Sequence, residues 1–327
     1  MRWQRALFST AGGGSIVDSD FSILFVSQMH CTGEHGKTAA WLRENLGMDA
    51  QSLCTGPITY LNYHNDWGYD VSKRKLRAML KDADAVILEE GLPSWFGLKD
   101  SELEGKIVVR DAHGTMTRRL WNEFKRSWSG PTIYRTPDLA ALISGESLLV
   151  PCSIDFARYP YCASALGNEK FSIAHAPSNP TVKGSKLLAE ALKELHTEAL
   201  WSQGEPNAIS LYRRRNSTVY FDNIADGRYH GYKGVLGVAG IEAAAMGQVV
   251  LGDFTAHRGY DALPDCGTTI EDVDELIEVL VYLRVNTAER EKLQSDWYSW
   301  ARSARDRNKI TREFVEWLKM QLPYSSV

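Results

Sequence analysis

Lys183 stands immediately before Gly184, in a segment that also carries Ser178 and Asn179. This segment runs from an apolar stretch at 171–175 into a helical pattern at 184–195. A lysine and a glycine at a strand-to-helix junction suit a phosphate group. The ammonium and the free N–H groups of the helix start supply positive charge, and the glycine lets the backbone come close. Gly237 and Gly240, at the start of a second helical stretch, fit the same task. A rival lies in the first half, where CTGEHGKT (Cys31–Thr38) follows one apolar run and precedes a helix. It is one residue from a P-loop, which needs glycine where Cys31 stands. With the acidic strand AVILEE at 85–90, it offers an NTPase alternative that leaves the second half unexplained. Asp82-Ala83-Asp84 has the form of a metal-binding Asp-x-Asp but sits between a helix and a strand, where a solvated turn is expected. His30, Cys31 and His35 match no common zinc spacing, so no metal is expected. Asp253, His257 and Asp261 lie beyond a strand end and read as residues that order a loop.

The elements that must position these residues follow from the apolar pattern. Short runs at 21–27, 85–88, 107–109 and 148–150 read as buried strands, with helices at 38–46, 73–80 and 139–143. After a stretch without strong periodicity at 155–170, the alternation restarts. Strands are expected at 171–175, 219–221 and 249–251, with helices at 184–195, 239–246, 273–284, 288–301 and 310–322. Alternating strands and helices mark an α/β fold with mainly parallel sheets. The break divides the chain into an expected domain over 1–160 and a second over 161–304.

Two blocks of the second half carry a family resemblance. IAHAPSNPTVKGSKLL (173–188) and FDNIADGRYHGYKGVLGVAGIEAAAMGQVVL (221–251) resemble the donor domain of GT-B glycosyltransferases, especially the retaining family 4. DAHGTMTRR, at 111–119, is similar to that family's His-Gly element. The resemblance implies two facing Rossmann-like, doubly wound domains with a nucleotide-sugar, UDP- or GDP-linked, between them. It implies that the last helix, over 305–327, packs back onto the first domain. Ser178, Asn179, Lys183, Gly184, Gly237, Gly240 and Glu242 would then bind the donor, with Glu242 accepting from the ribose hydroxyls. His113 would touch the transferred sugar; His113, Lys183 and Glu242 form the expected catalytic set, and Gly33, Glu34 and His35 would line the cleft. Transfer with retention, without a metal and without a further cofactor, is what the resemblance implies. The family shows two glutamates with seven residues between them. Glu242 matches the second, and Gly234 stands where the first would fall. That departure motivates a second alternative, a nucleotide- or glycan-binding protein without turnover.

The bulk numbers constrain partners and setting. A net charge of −4 argues against sequence-independent coating of nucleic acid. The basic segments Lys73–Arg77 and Arg213–Arg215 read as ordinary solvated charge, although each is able to meet phosphates. The expected acceptor is a glycan, a lipid-linked glycan or a hydroxymethylated DNA base. Five cysteines without a close pair indicate reduced thiols and a cytoplasmic setting. No stretch reaches the ~20 apolar residues of a membrane span. Trp67, Trp95, Trp121 and Trp128 are candidates to stack on a sugar or a base.

Overall fold

The computed structural model describes residues 21–27, 34–55, 73–112, 117–118, 120, 122, 127–143, 145–162, 171–224, 234–257, 263–264, 270 and 272–321. The first half builds one parallel sheet. Its elements are β1 (Ser22–Ser27), α1 (Glu34–Leu46), β2 (Asp49–Cys54), α2 (Lys73–Asp82), β3 (Ala85–Glu89), α3 (Asp100–Leu103), β4 (Ile107–Ala112), β5 (Thr132–Tyr134) and β6 (Ser147–Leu149). The strands lie in the order β2-β1-β3-β4-β5-β6. The second half builds another from β7 (Ile173–His175), α4 (Ser185–Glu194), β8 (Ala199–Trp201), α5 (Asn207–Arg214), β9 (Val219–Asn223), α6 (Val238–Ala245) and β10 (Val249–Gly252). This sheet runs β10-β9-β7-β8. Three helices follow: α7 (Val273–Val285), α8 (Thr287–Ala304) and α9 (Arg307–Met320).

Each pairing within the two sheets is parallel. Parallel strands are covered on both faces, which explains why β1 and β3 are continuous apolar runs rather than alternating ones. Successive side chains of β1 serve opposite faces. Phe25 joins Ile87, Val109, Trp41 and Leu42 on one side. Leu24 and Val26 join Val86, Leu88, Leu76 and Phe96 on the other. The first of these cores also contains Ile310, Phe314 and Leu318 of α9, so the last helix packs on the first sheet. A separate core gathers Ala174, Phe221, Leu251, Leu188, Ala244 and Trp297 around the second sheet.

The chain crosses between the two sheets twice, and the crossings pair. Ile154 N–H donates to Arg305 O at 2.7 Å, and Arg307 N–H donates to Ile154 O at 3.1 Å. Three strands lay beyond the apolar pattern. β2 reads DAQSLC, too polar to stand out, whereas β5 and β8 have three residues each. The helix expected at 139–143 is a 3-10 turn over Pro137–Ala141. Among the described residues, no helix is long and apolar enough to cross a membrane.

Candidate functional site

β9 ends in Asp222 and Asn223, both buried, and Asp222 organises the start of α6. Its Oδ1 lies 3.3 Å from Lys183 Nζ. Its Oδ2 accepts from Gly237 N–H at 2.7 Å and from Asn223 Nδ2 at 2.6 Å. The carboxylate thus anchors the lysine beside the first residue of a helix N-terminus, where N–H groups lack intrahelical partners. Space there is reserved for backbone. A Cβ on Gly237 would stand 2.5 Å from Lys183 Nζ and 3.0 Å from Asp222 Oδ1. A Cβ on Gly240 would meet Leu236 Cδ1 at 2.7 Å and Asp222 Cγ at 3.0 Å, so this glycine is buried and packs the helix onto β9 rather than facing a ligand.

The loop after β7 brings Lys183 to this position. Asn179 Oδ1 accepts from Thr181 N–H at 3.1 Å, a local turn that leaves Asn179 and Ser178 exposed. Gly184 then takes a left-handed φ of 66°, and its missing Cβ would lie 2.8 Å from Ile224 O. Ser178, Asn179, Lys183, Gly184 and Gly237 therefore come from two strand-to-helix junctions that abut at the C-terminal ends of β7 and β9, where α/β sheets bind ligands.

Below the loop, His175 is wholly buried. Its Nδ1 is 2.8 Å from Phe221 O, and its Nε2 is 2.7 Å from Ser185 Oγ in the first turn of α4. The carbonyl can only accept, so Nδ1 carries the proton and Nε2 accepts from the serine. Burial pushes the imidazole down to about 4, against the upward pull of Phe221 O and Asp222. The ring is a neutral clasp between β7, β9 and α4.

Glu242 differs from the ribose acceptor expected of it. It lies in the middle of α6, only 2% exposed. Oε1 accepts from Tyr159 Oη at 3.0 Å and from Asn207 Nδ2 at 3.2 Å, and Oε2 pairs with Arg214. Three of about four acceptor positions of a carboxylate are thus filled from within the protein. Arg214, read from the sequence as part of a solvated basic run, is 2% exposed because Glu242 and Ala239 O receive its guanidinium. Burial disfavours its charge, yet Glu242 outweighs that and raises its pKa. Arg213 is the surface member of the run and pairs with Glu205.

Gly234 has a physical reason for lacking a side chain. Its φ is 54°, and a Cβ there would lie 2.2 Å from Thr255 Oγ1 and 2.6 Å from Thr255 N. No glutamate fits without moving that turn. The turn itself is ordered by Asp253, whose Oδ1 accepts from Thr255 N–H at 3.0 Å, and by His257, whose Nε2 accepts from Leu236 N–H at 3.0 Å. Both residues order loops, as the sequence suggests. Asp261 lies outside the described residues.

In the first half, Gly33 and His113 also lie outside the described residues. Helix α1 begins at Glu34, ahead of Gly36 and Lys37, and Lys37 Nζ bonds Glu34 Oε1 at 3.1 Å. Gly36 and Lys37 therefore lie in the first turn of α1, with the lysine paired to Glu34 of the same helix. Glu34 and His35, expected to line a cleft, are each 4% exposed because the first turn of α1 faces the sheet. Glu34 Oε2 accepts from Ser153 N–H and Oγ, both at 3.2 Å. Burial raises its pKa, but Lys37, Arg307, Arg135 and the Ser153 N–H prevail and hold it below the usual carboxylate value. His35 Nε2 lies 2.9 Å from Asp111 Oδ2, and Arg135 Nε donates to the two oxygens of that carboxylate at 2.9 and 3.0 Å. Asp84 accepts from Ser22 N–H at 2.8 Å, which closes the Asp82–Asp84 turn. Among the described residues, no group of acids, histidines and cysteines is placed to hold a metal. Trp95 is half-buried in a 3-10 turn, and Trp128 Nε1 donates to Thr132 Oγ1 at 3.2 Å. Trp67 and Trp121 lie outside the described residues.

Asp222, His175 and Tyr159 were not picked out from the sequence, and Arg214 stood there only as part of a solvated basic run. The strand end YFDN held a signal for Asp222, since an acid closing a buried strand requires a partner. The others depend on contacts between distant segments.

No family model and no curated protein matches the chain. Solved structures do match. Anabaena HepE in complex with UDP-glucose superimposes with a TM-score of 0.64 at 14% identity, over 91% of this chain and 99% of that one. An alpha-glucosyltransferase in complex with UDP-glucose and DNA containing an abasic site gives 0.66 at 11%, over 91% and 98%. AviGT4, a glycosyltransferase involved in avilamycin A biosynthesis, gives 0.56 at 13%, over 92% and 98%. Two parallel α/β units with paired crossings, matched along nearly the full length of these enzymes, give this chain the GT-B fold of glycosyltransferases.

Proposed function

We propose that this chain is a glycosyltransferase that moves a sugar from a nucleotide-sugar, UDP-linked in the first instance and GDP-linked as the alternative, to an acceptor hydroxyl. The observation that carries the reading is Lys183 held 3.3 Å from Asp222 beside Gly237, at the junction of two strand-to-helix turns. An ammonium beside the positive end of a helix suits a diphosphate leaving group, whose developing charge the two would stabilise. The fold supports the reading, because neighbours of the same architecture hold UDP or UDP-glucose.

Within this proposal, Ser178, Asn179, Lys183, Gly184 and Gly237 face the donor. Glu242 acts from behind as the buried partner of Arg214. His113 is assigned to the transferred sugar. The domains divide into 1–160 and 161–304, with the last helix joined to the first. Transfer proceeds with retention and without a metal. The bond from the anomeric carbon to the phosphate breaks, the acceptor oxygen bonds on the same face, and the departing diphosphate takes the acceptor proton. The acceptor is a glycan, a lipid-linked glycan or a hydroxymethylated base in DNA. One neighbour is an alpha-glucosyltransferase bound to DNA containing an HMU base, which keeps the last on the same footing.

A thermal-shift screen against UDP, GDP, ADP, CMP and ATP tests the donor site, since a ligand of the folded state raises the midpoint by mass action. UDP or GDP should stabilise the wild type and not Lys183→Ala. Stabilisation by ATP alone, equal in both proteins, would sink the proposal. The crowding at Gly234 also favours a second reading, a donor-binding protein without turnover. Release of UDP from UDP-glucose in the presence of acceptor candidates separates the two.

A further inference from the structure

Glu90 follows the last residue of β3 and has a φ of 46°, in the left-handed region that a side chain rarely occupies. The glycine beside it, Gly91, does not take that conformation; its hydrogen makes room for the Phe96 ring, which a Cβ would meet at 2.5 Å. A glycine or an asparagine at position 90 would fit this backbone at lower cost. A glutamate held there against its preference points to a task for its carboxylate.

Glu90 ties together two places in the chain at the C-terminal end of the first sheet. Its N–H donates to Asp111 O at 2.8 Å, near the end of β4. Its Oε1 accepts from Thr117 N–H at 3.3 Å and from Thr117 Oγ1 at 3.2 Å. Thr117 is wholly buried, and its Oγ1 accepts in turn from Arg110 Nη2 at 3.1 Å. Burial pushes the Arg110 guanidinium down to about 10, with the Glu90 and Asp111 carboxylates pulling upward. Between Ala112, the last residue of β4, and Thr117 stand four residues, and His113 is the first of them. One residue thus holds the chain on both sides of that segment. Its backbone ties the entry, and its side chain ties the exit.

We propose that Glu90 is a positioning residue of the transferase site: by tying Asp111 and Thr117, it sets where His113 meets the sugar part of the donor. The inference rests on the donor reading above, in which His113 is assigned to the transferred sugar. Glu90 acts through His113 and touches no ligand itself. In that reading the nucleotide is held from the other sheet, by Lys183 and Gly237, so Glu90 bears on the sugar alone.

The test is calorimetric titration of the full chain with UDP and with UDP-glucose. Two variants weaken the tie in different ways: Glu90→Gln removes the charge and keeps an acceptor oxygen, and Thr117→Val removes the hydroxyl. Each should bind UDP as the wild type does and bind UDP-glucose about three- to tenfold less tightly, the range for a lost hydrogen bond. Thr117→Ser, which restores the hydroxyl, should recover most of the wild-type ratio of the two affinities. In a His113→Ala background, Glu90→Gln should lower UDP-glucose affinity no further, because the residue it positions is gone. An unchanged ratio in both variants, or an equal fall for both ligands, overturns the proposal, since a merely structural role would weaken the two together. A second, additive loss in the His113→Ala background overturns it as well, as does a wild type that binds UDP and not UDP-glucose. A wild type that binds neither ligand sinks the donor reading itself.

Discussion

Lys183 and Asp222 come from the ends of adjacent strand-to-helix junctions, and their 3.3 Å pairing joins the loop after β7 to the start of α6. Asp222 is 1% exposed and Lys183 is 13% exposed in its side chain, so the ammonium is the less buried end of the pair. The carboxylate orients the ammonium. Lys183→Ala should weaken UDP binding by about 10- to 100-fold, the range for losing a charge-assisted contact. It should also lower stability, because Asp222 stays buried with fewer donors. Isothermal titration with UDP on the folded variant reads the first effect. Unchanged affinity would remove the lysine from the donor site.

Gly237→Ala separates the site from the fold. The added methyl would stand 2.5 Å from Lys183 Nζ, the far end of a flexible side chain that can swing away. Stability should change by less than about 1.5 kcal/mol, a small cost for a single methyl. UDP binding should fall by about tenfold or more, since the ammonium leaves its place. A variant that keeps full UDP affinity would show that this position is not part of the phosphate cradle.

Glu242 and Arg214 should behave as one unit. Removing either partner alone leaves a buried charge, at a cost of about 3–5 kcal/mol. Glu242→Leu with Arg214→Met should cost less than the sum of the singles, with a coupling of about 0.5–3 kcal/mol in urea unfolding. Strict additivity would mean that the two groups are not coupled.

His175 gives the fold an acid limit. Its pKa in the folded protein, about 4, is below the 6.5 of an exposed imidazole. The unfolded chain therefore binds more protons between these values, so stability falls as pH drops from 6.5 toward 4. The loss from this group is on the order of 3 kcal/mol when complete. Urea midpoints of wild type and His175→Asn, compared across that window, should converge at low pH. Parallel curves would assign the acid sensitivity to other groups.

Gly234→Glu, which restores the residue type of the resembled motif, should destabilise the protein by more than about 2 kcal/mol through its clash with the Thr255 turn and its left-handed backbone. It should not raise transferase turnover. A stable and more active variant would show that the turn yields readily and that the missing acid limits catalysis.

The amino-acid sequence by itself determined the architecture. Runs such as ILFV in β1 and AVIL in β3 are apolar at every position, which is the mark of strands covered on both faces, and the helices between them make the sheets parallel. It also marked Lys183 and Gly184 at a strand-to-helix junction, the position they take before α4. The short strands β5 and β8 were beyond it, since three residues carry no period. Tertiary structure alone decided what each charged side chain faces. Arg214 and Arg215 are neighbours in a basic run, yet Arg214 is buried on Glu242 and Arg215 stacks over Tyr212, 4.2 Å from the ring. Glu242 matches a motif, but its partners Tyr159, Asn207 and Arg214 come from segments 83, 35 and 28 residues away. Spacing along a chain sets which residues share an element. Burial, which commits a charge to its partner, arises only when distant elements meet.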